Sequence, residues 1–63
     1  MDFQCLTTHL ISRFRMLHEN AIIAFYADSK ATKELHFQYI KNDIEVCQAL
    51  INHFEEEKKG TQP

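Results

Sequence analysis

The spacing of apolar side chains is the feature that most limits what this chain can fold into. Intervals of three and four residues place side chains on one side of an α-helix, whereas a strand alternates. The first half carries one such main stripe, formed by Phe3, Leu6, Leu10, Phe14, Leu17, Ala21 and Phe25. The second half carries another with heptad spacing, formed by Phe37, Ile40, Ile44, Cys47, Ile51 and Phe54. The spacing predicts two helices, with Ile44 at the centre of the second contact stripe.

A polar segment, DSKAT at 28–32, separates the two stripes. It contains three residues that can cap a helix: Asp28, Ser29 and Thr32. We predict a helix over about 3–27, a turn over about 28–32, with Thr32 as the N-cap, and a second helix over about 33–58. The remaining residues, 59–63, contain Gly60 and Pro63 and are expected to form a short flexible tail. One continuous helix is the alternative, because no residue between 28 and 34 forbids it.

A chain of 63 residues forms one domain and buries only a modest fraction of its surface when it folds alone. Its two cysteines provide no disulfide framework, so a partner is the expected source of stability. A second set of apolar residues lies beside the main stripes and is the predicted dimer or partner interface: Ile11, Ile22, Tyr26, Leu35, Tyr39, Val46 and Leu50. We therefore predict an all-α antiparallel two-helix hairpin that dimerises into a four-helix bundle.

Two further groups of residues are candidates for binding. A strip on the far side of the first helix is a secondary docking candidate, formed by Cys5, Ser12, Met16 and Ile23. At the open end of the hairpin, four zinc-ligand types come near each other as two i,i+4 pairs, Cys5 with His9 and His53 with Glu57. Solvated polar residues are the preferred interpretation of that cluster. No catalytic residues and no cofactor are predicted, since the chain lacks a glycine-rich turn that could supply an oxyanion site.

Charge and hydropathy bear on location and partners. The formal net charge is −2, and the charges are scattered, which disfavours nucleic acid as a partner. No apolar run reaches the roughly 20 residues of a membrane span, and the N-terminus begins with an acid rather than with basic residues. We expect a cytoplasmic protein that binds itself and another protein.

In shape, the predicted hairpin resembles two groups, the Rop-type plasmid regulators and the small hairpin co-chaperones of type III secretion. The first resemblance implies RNA binding through one polar helix face, but that face mixes Lys41 with Glu45 and Glu56. The second implies that an apolar hairpin face clamps a helix of a partner. We expect a non-enzymatic interaction module, a dimeric hairpin that regulates, inhibits or adapts another protein. A chaperone-like or structural subunit is the alternative, followed by an RNA-binding or zinc-binding protein.

Overall fold

The computed structural model describes residues 1–60 and consists of two α-helices packed side by side, α1 over Phe3–Tyr26 and α2 over Lys30–Gly60. The predicted antiparallel hairpin is confirmed, and the continuous helix is wrong. Residues 61–63 of the predicted tail lie outside the described residues, while Lys59 and Gly60 are the last residues of α2.

Local side-chain hydrogen bonds explain where the helices begin. Asp2 caps α1, because its Oδ1 accepts a hydrogen bond from the backbone N–H of Cys5 at 2.7 Å. At the start of α2 the Oγ of Ser29 accepts from the backbone N–H of Thr32 at 3.0 Å. Ser29, rather than the predicted Thr32, is therefore the capping residue, and α2 begins three residues earlier than predicted. Thr32 instead accepts a hydrogen bond from Ser29 Oγ at 2.8 Å.

The turn needs neither glycine nor proline. Ala27 leaves the helix in an extended conformation, and none of the described residues has a positive φ. Lys33, in the first turn of α2, reaches back and donates from Nζ to the carbonyl oxygens of Ala24 and Phe25, at 3.0 and 3.5 Å. These contacts satisfy carbonyls that the end of α1 leaves without helical partners.

The contact between the helices, here called the seam, follows a heptad spacing on both sides. We define it by these buried and half-buried residues: Leu6, Leu10, Arg13, Leu17, Asn20 and Ala24 on α1 and His36, Ile40, Asp43, Cys47, Leu50 and Phe54 on α2. Thr7, Val46, Ile51 and Glu57 are half-buried beside it. The predicted main stripes are therefore partly wrong. Phe14, a member of the first predicted stripe, and Ile44, expected at the centre of the second, are each 53% exposed.

Polar side chains occupy the middle of the seam and pair across it. Arg13 Nη1 lies 3.4 Å from Oδ1 of Asp43, a carboxylate that is only 5% exposed. One heptad away, His36 Nδ1 lies 2.8 Å from Asn20 Oδ1, while Asn20 Nδ2 donates to the carbonyl of Met16. Because an amide oxygen can only accept, Nδ1 of His36 is the donor in this contact. No buried side-chain nitrogen or oxygen among the described residues lacks a partner.

We expect Asp43→Ala to lower the free energy of unfolding by about 1–3 kcal/mol, because it removes a buried hydrogen-bonded charge pair and leaves Arg13 without its partner. The measurement is urea unfolding at a fixed protein concentration. Glu45→Ala is the matched control, an exposed carboxylate two residues along α2, with an expected change within about 0.5 kcal/mol. Equal effects of the two substitutions would contradict a role for Asp43 in the seam.

Candidate interaction surfaces

Most of the large apolar side chains lie outside the seam. Leu6 and Cys47 are the buried apolar residues of the described chain, and no side chain is fully buried. Large hydrophobic residues that are more than one-third exposed occur along both helices: Met1, Phe3, Ile11, Phe14, Met16, Ile22, Ile23, Phe25, Tyr26, Leu35, Phe37, Tyr39 and Ile44. Scattered single apolar residues are ordinary on a protein surface, but contiguous groups indicate contact sites. The grouping of these residues is therefore the informative property.

One group forms an apolar groove near the turn. This shallow, open groove is lined by the small residues Ala21 and Ala24 and by Phe25, Phe37 and Ile40, and its volume is about 510 Å³. Lys33 and Glu34 also line it. A groove lined by small and aromatic side chains fits a bulky apolar side chain from another helix.

Helical spacing extends this groove into a continuous surface, here called the phenylalanine face. Positions seven and eleven residues apart lie on the same side of a helix. On α1, the row with Ala21 and Phe25 therefore also contains Phe3 and Phe14. On α2, the row with Phe37 also contains Ile44 and Ile51. Phe25, at the end of α1, is 77% exposed. Residues that were expected to join the two helices thus form an apolar surface that is largely exposed, with Ile51 half-buried at its edge.

The opposite side of the hairpin, here called the tyrosine face, is smaller and more polar. A shallow depression of about 340 Å³ is lined by Arg13, Met16, Asn20, Tyr39, Asn42 and Asp43. The ring of Tyr39 packs edge-on against the His36 ring, with 5.3 Å between centroids. Both charged members, Arg13 and Asp43, are already engaged with each other.

The residues of the predicted interface do not all share one side. Tyr39 belongs to the tyrosine face, and helical spacing places Leu35, Val46 and Leu50 on the same side of α2. Val46 and Leu50 are half-buried. The other three predicted residues lie on the outer side of α1 and are exposed: Ile11, Ile22 and Tyr26.

The predicted secondary strip lies along one side of α1, since Cys5, Ser12, Met16 and Ile23 follow each other at intervals of 7, 4 and 7 residues. Met16 lines the depression on the tyrosine face, and Ile23, seven residues further on, is exposed on the same side of α1. Cys5 is an exposed free thiol in a separate shallow depression near the open end, which His9 also lines. Ser12 is exposed.

The candidate metal cluster separates into its two pairs. Cys5 and His9 line one depression, whereas Glu57 lines another together with Met1, Phe54 and Lys58. His53 Nε2 lies 3.0 Å from Oε1 of Glu57, and the other carboxylate oxygen of Glu57 pairs with the N-terminal amine of Met1. Within residues 1–60, no group of three or more potential ligands is arranged to hold a metal ion.

At the end of the hairpin away from the turn, ionic and aromatic contacts hold the two helices together. The hydrogen bond from the Met1 amine lowers the pKa of the Glu57 carboxyl, and the same bond raises the pKa of the amine. Beside it, the rings of Phe3 and Phe54 pack edge-to-face with 6.1 Å between centroids. These contacts join the start of α1 to the last turns of α2.

Neither α1 nor α2 has an apolar stretch of the length that a bilayer crossing requires within the described residues. The sequence matches no protein-family model and no curated protein, and the fold matches no solved structure. The inference of function therefore rests on the surfaces themselves.

We expect the carboxyl of Glu57 to titrate below the ordinary glutamate value of about 4.3, as measured by NMR of its side-chain carbon. A carboxyl whose folded-state pKa is lowered stabilises the fold above its unfolded-state pKa, and this stabilisation is lost as the pH falls through the folded-state value. The control is the Nα-acetylated chain, in which the amine carries no charge. An unchanged titration midpoint after acetylation would show that the amine is not the cause.

Proposed function

We propose that this protein is a non-enzymatic protein–protein interaction module that works as a homodimer of helical hairpins and regulates, inhibits or adapts another protein. The observation that supports the proposal is the phenylalanine face, where aromatic and aliphatic side chains share a single side of both helices and most of them remain exposed. A hairpin of two helices has no third element to cover that side. A second copy of the chain provides one.

The area of the chain agrees with this proposal. A compact monomer of 7.5 kDa is expected to expose about 4,200 Å². The chain exposes 5071 Å², which is roughly 800 Å² more than that expectation. A standard protein interface buries about 800 Å² on each partner. The excess, part of which comes from the elongated shape of the hairpin, is comparable in size to one such interface.

The seam alone is a weak source of stability. Hydrophobic burial contributes roughly 25 cal/mol per Å² of apolar surface removed from water, and only two apolar side chains of the described residues are buried. Two of the paired layers in the seam are polar, and such pairs contribute more to specificity than to stability. Covering the phenylalanine face would supply the apolar burial that the isolated hairpin lacks.

A chaperone-like clamp is the second candidate, and the groove beside Ala21 and Ala24 favours it. In that case Phe25, Phe37 and Ile40 would hold the helix of a different protein. The purified chain would then be a monomer or an aggregate rather than a dimer.

Size-exclusion chromatography coupled to light scattering, over a hundredfold range of concentration, tests the proposal. We expect a dimer that dissociates on dilution, with helicity and thermal stability that rise with concentration. A monomer at every concentration would contradict self-association and leave the clamp as the remaining candidate.

We expect Phe14→Ser to shift the monomer–dimer equilibrium at least tenfold towards the monomer, because Phe14 lies at the centre of the phenylalanine face. Tyr39→Ser is the matched control on the tyrosine face and is expected to leave the dimer intact. Circular dichroism confirms that each variant remains helical. The reverse result, a dimer lost with Tyr39→Ser and kept with Phe14→Ser, would favour the interface predicted from sequence.

A further inference from the structure

The phenylalanine face has the same spacing when it is followed in either direction. On α1 its row runs through Phe3, Thr7, Phe14, Ala21 and Phe25, at intervals of 4, 7, 7 and 4 residues. On α2 the row runs through Lys33, Phe37, Ile44, Ile51 and Glu55, again at intervals of 4, 7, 7 and 4. Phe14 and Ile44 are the midpoints of the two rows.

The two midpoints lie at the same level of the hairpin. Arg13 pairs with Asp43 in the seam, which places the residues next to them, Phe14 and Ile44, side by side. The contact between Phe3 and Phe54 fixes the same register at the open end. One axis perpendicular to the helices can therefore pass through the middle of both rows.

We infer that the partner of the phenylalanine face is a second copy of this chain, packed face to face with its turn at the opposite end, about a twofold axis at the level of Phe14 and Ile44. This inference rests on the proposed function and specifies the partner and its orientation. The axis packs α1 on α1 and α2 on α2, antiparallel in both cases. Each surface then contacts an identical surface, as closed twofold dimers require.

Every facing pair in this arrangement but one is apolar or oppositely charged, and the exception sets Thr7 against Ala21. With the residue of the second copy given second, the other facing pairs are Phe3 and Phe25, Phe14 and Phe14, Phe37 and Ile51, Ile44 and Ile44, and Lys33 and Glu55. The lysine and the glutamate lie 22 residues apart on one helix, a distance of about 33 Å, so they cannot pair within a chain. Between two chains they meet twice.

The other face-to-face arrangement places both turns at the same end and packs α1 on α2 of the second copy. Phe3 would then face Glu55, and Phe25 would face Lys33, so each end of the interface would set a charge against an aromatic ring. The carboxylate against the negative face of a phenyl ring is unfavourable, whereas the lysine at the other end makes a favourable cation–π contact. The arrangement with opposite turns has the better charge complementarity, because it sets both charges against opposite charges.

Disulfide trapping tests the orientation. In a Cys5→Ser background, which removes the exposed thiol, Phe14→Cys and Ile44→Cys are each expected to form a covalent dimer on mild oxidation, because each residue faces its own counterpart. Met16→Cys, on the opposite face, is the control and is expected to remain uncoupled. Coupling only between a Phe14→Cys chain and an Ile44→Cys chain would show that the turns lie at the same end and would overturn the inference.

Charge reversal provides a second measurement that leaves the apolar residues in place. Glu55→Lys is expected to weaken the dimer about tenfold, since it removes two interchain pairs. Lys33→Glu is expected to weaken it further, because it also removes the contacts from Lys33 Nζ to the carbonyls of Ala24 and Phe25. Mixing the two variants should give a heterodimer that is tighter than either homodimer, seen by native mass spectrometry, because one pair re-forms with its charges exchanged and the other is the original pair. Arg15→Glu and Glu19→Lys, on the outer side of α1, are the control pair. Mixing these two variants should not increase the affinity of the dimer.

The outcomes separate the two proposals. A chain that is monomeric in light scattering overturns both. A stable dimer in which neither cysteine variant couples to itself, and in which the reversed charges do not rescue each other, overturns the orientation and leaves the homodimeric module standing.

Discussion

The pairing of polar side chains inside the seam determines the register on which the rest of the structure depends. Arg13 lies opposite Asp43, and Asn20 lies opposite His36. Sliding α2 by one heptad in one direction would set Asp43 against Leu6, and in the other direction against Asn20. Either shift separates the arginine from its carboxylate inside the contact. Buried polar pairs of this kind contribute little net stability, but they strongly destabilise the alternative registers of the two helices.

The fold could be predicted from the sequence because helical spacing is independent of which side of the helix is buried. The choice of side could not be predicted by counting apolar residues. Phe14 and Ile44 continue the apolar rows, yet the seam passes instead through Arg13 and Asp43, one residue away on each helix. A search that allowed polar residues in the contact stripe would have found the heptad spacing of the seam. Arg13 and Asn20 continue the spacing of Leu10 and Leu17.

The turn shows a similar limit. The polar segment marked its place, but three residues in it can cap a helix, and their propensities do not distinguish them. The choice depends on a contact between the two helices, since α2 begins where Lys33 can reach the carbonyls of Ala24 and Phe25. Contacts between the two helices determine which of the candidate residues caps α2. These contacts exist only once the hairpin has formed. The candidate metal cluster failed to assemble for the same reason, because Glu57 is already bound by Met1 and His53.

A face-to-face dimer also determines where a different protein could bind. Burying the phenylalanine face leaves the two tyrosine faces on opposite outer sides, related by the same twofold axis. Each carries Met16, whose flexible side chain adapts to varied apolar surfaces, beside the edge of Tyr39. A dimer of this kind would present two identical sites with a fixed separation, so a partner that is itself paired would bind more tightly than a single copy. Regulation of another protein would then depend on self-association, because the monomer offers one such site and the dimer offers two.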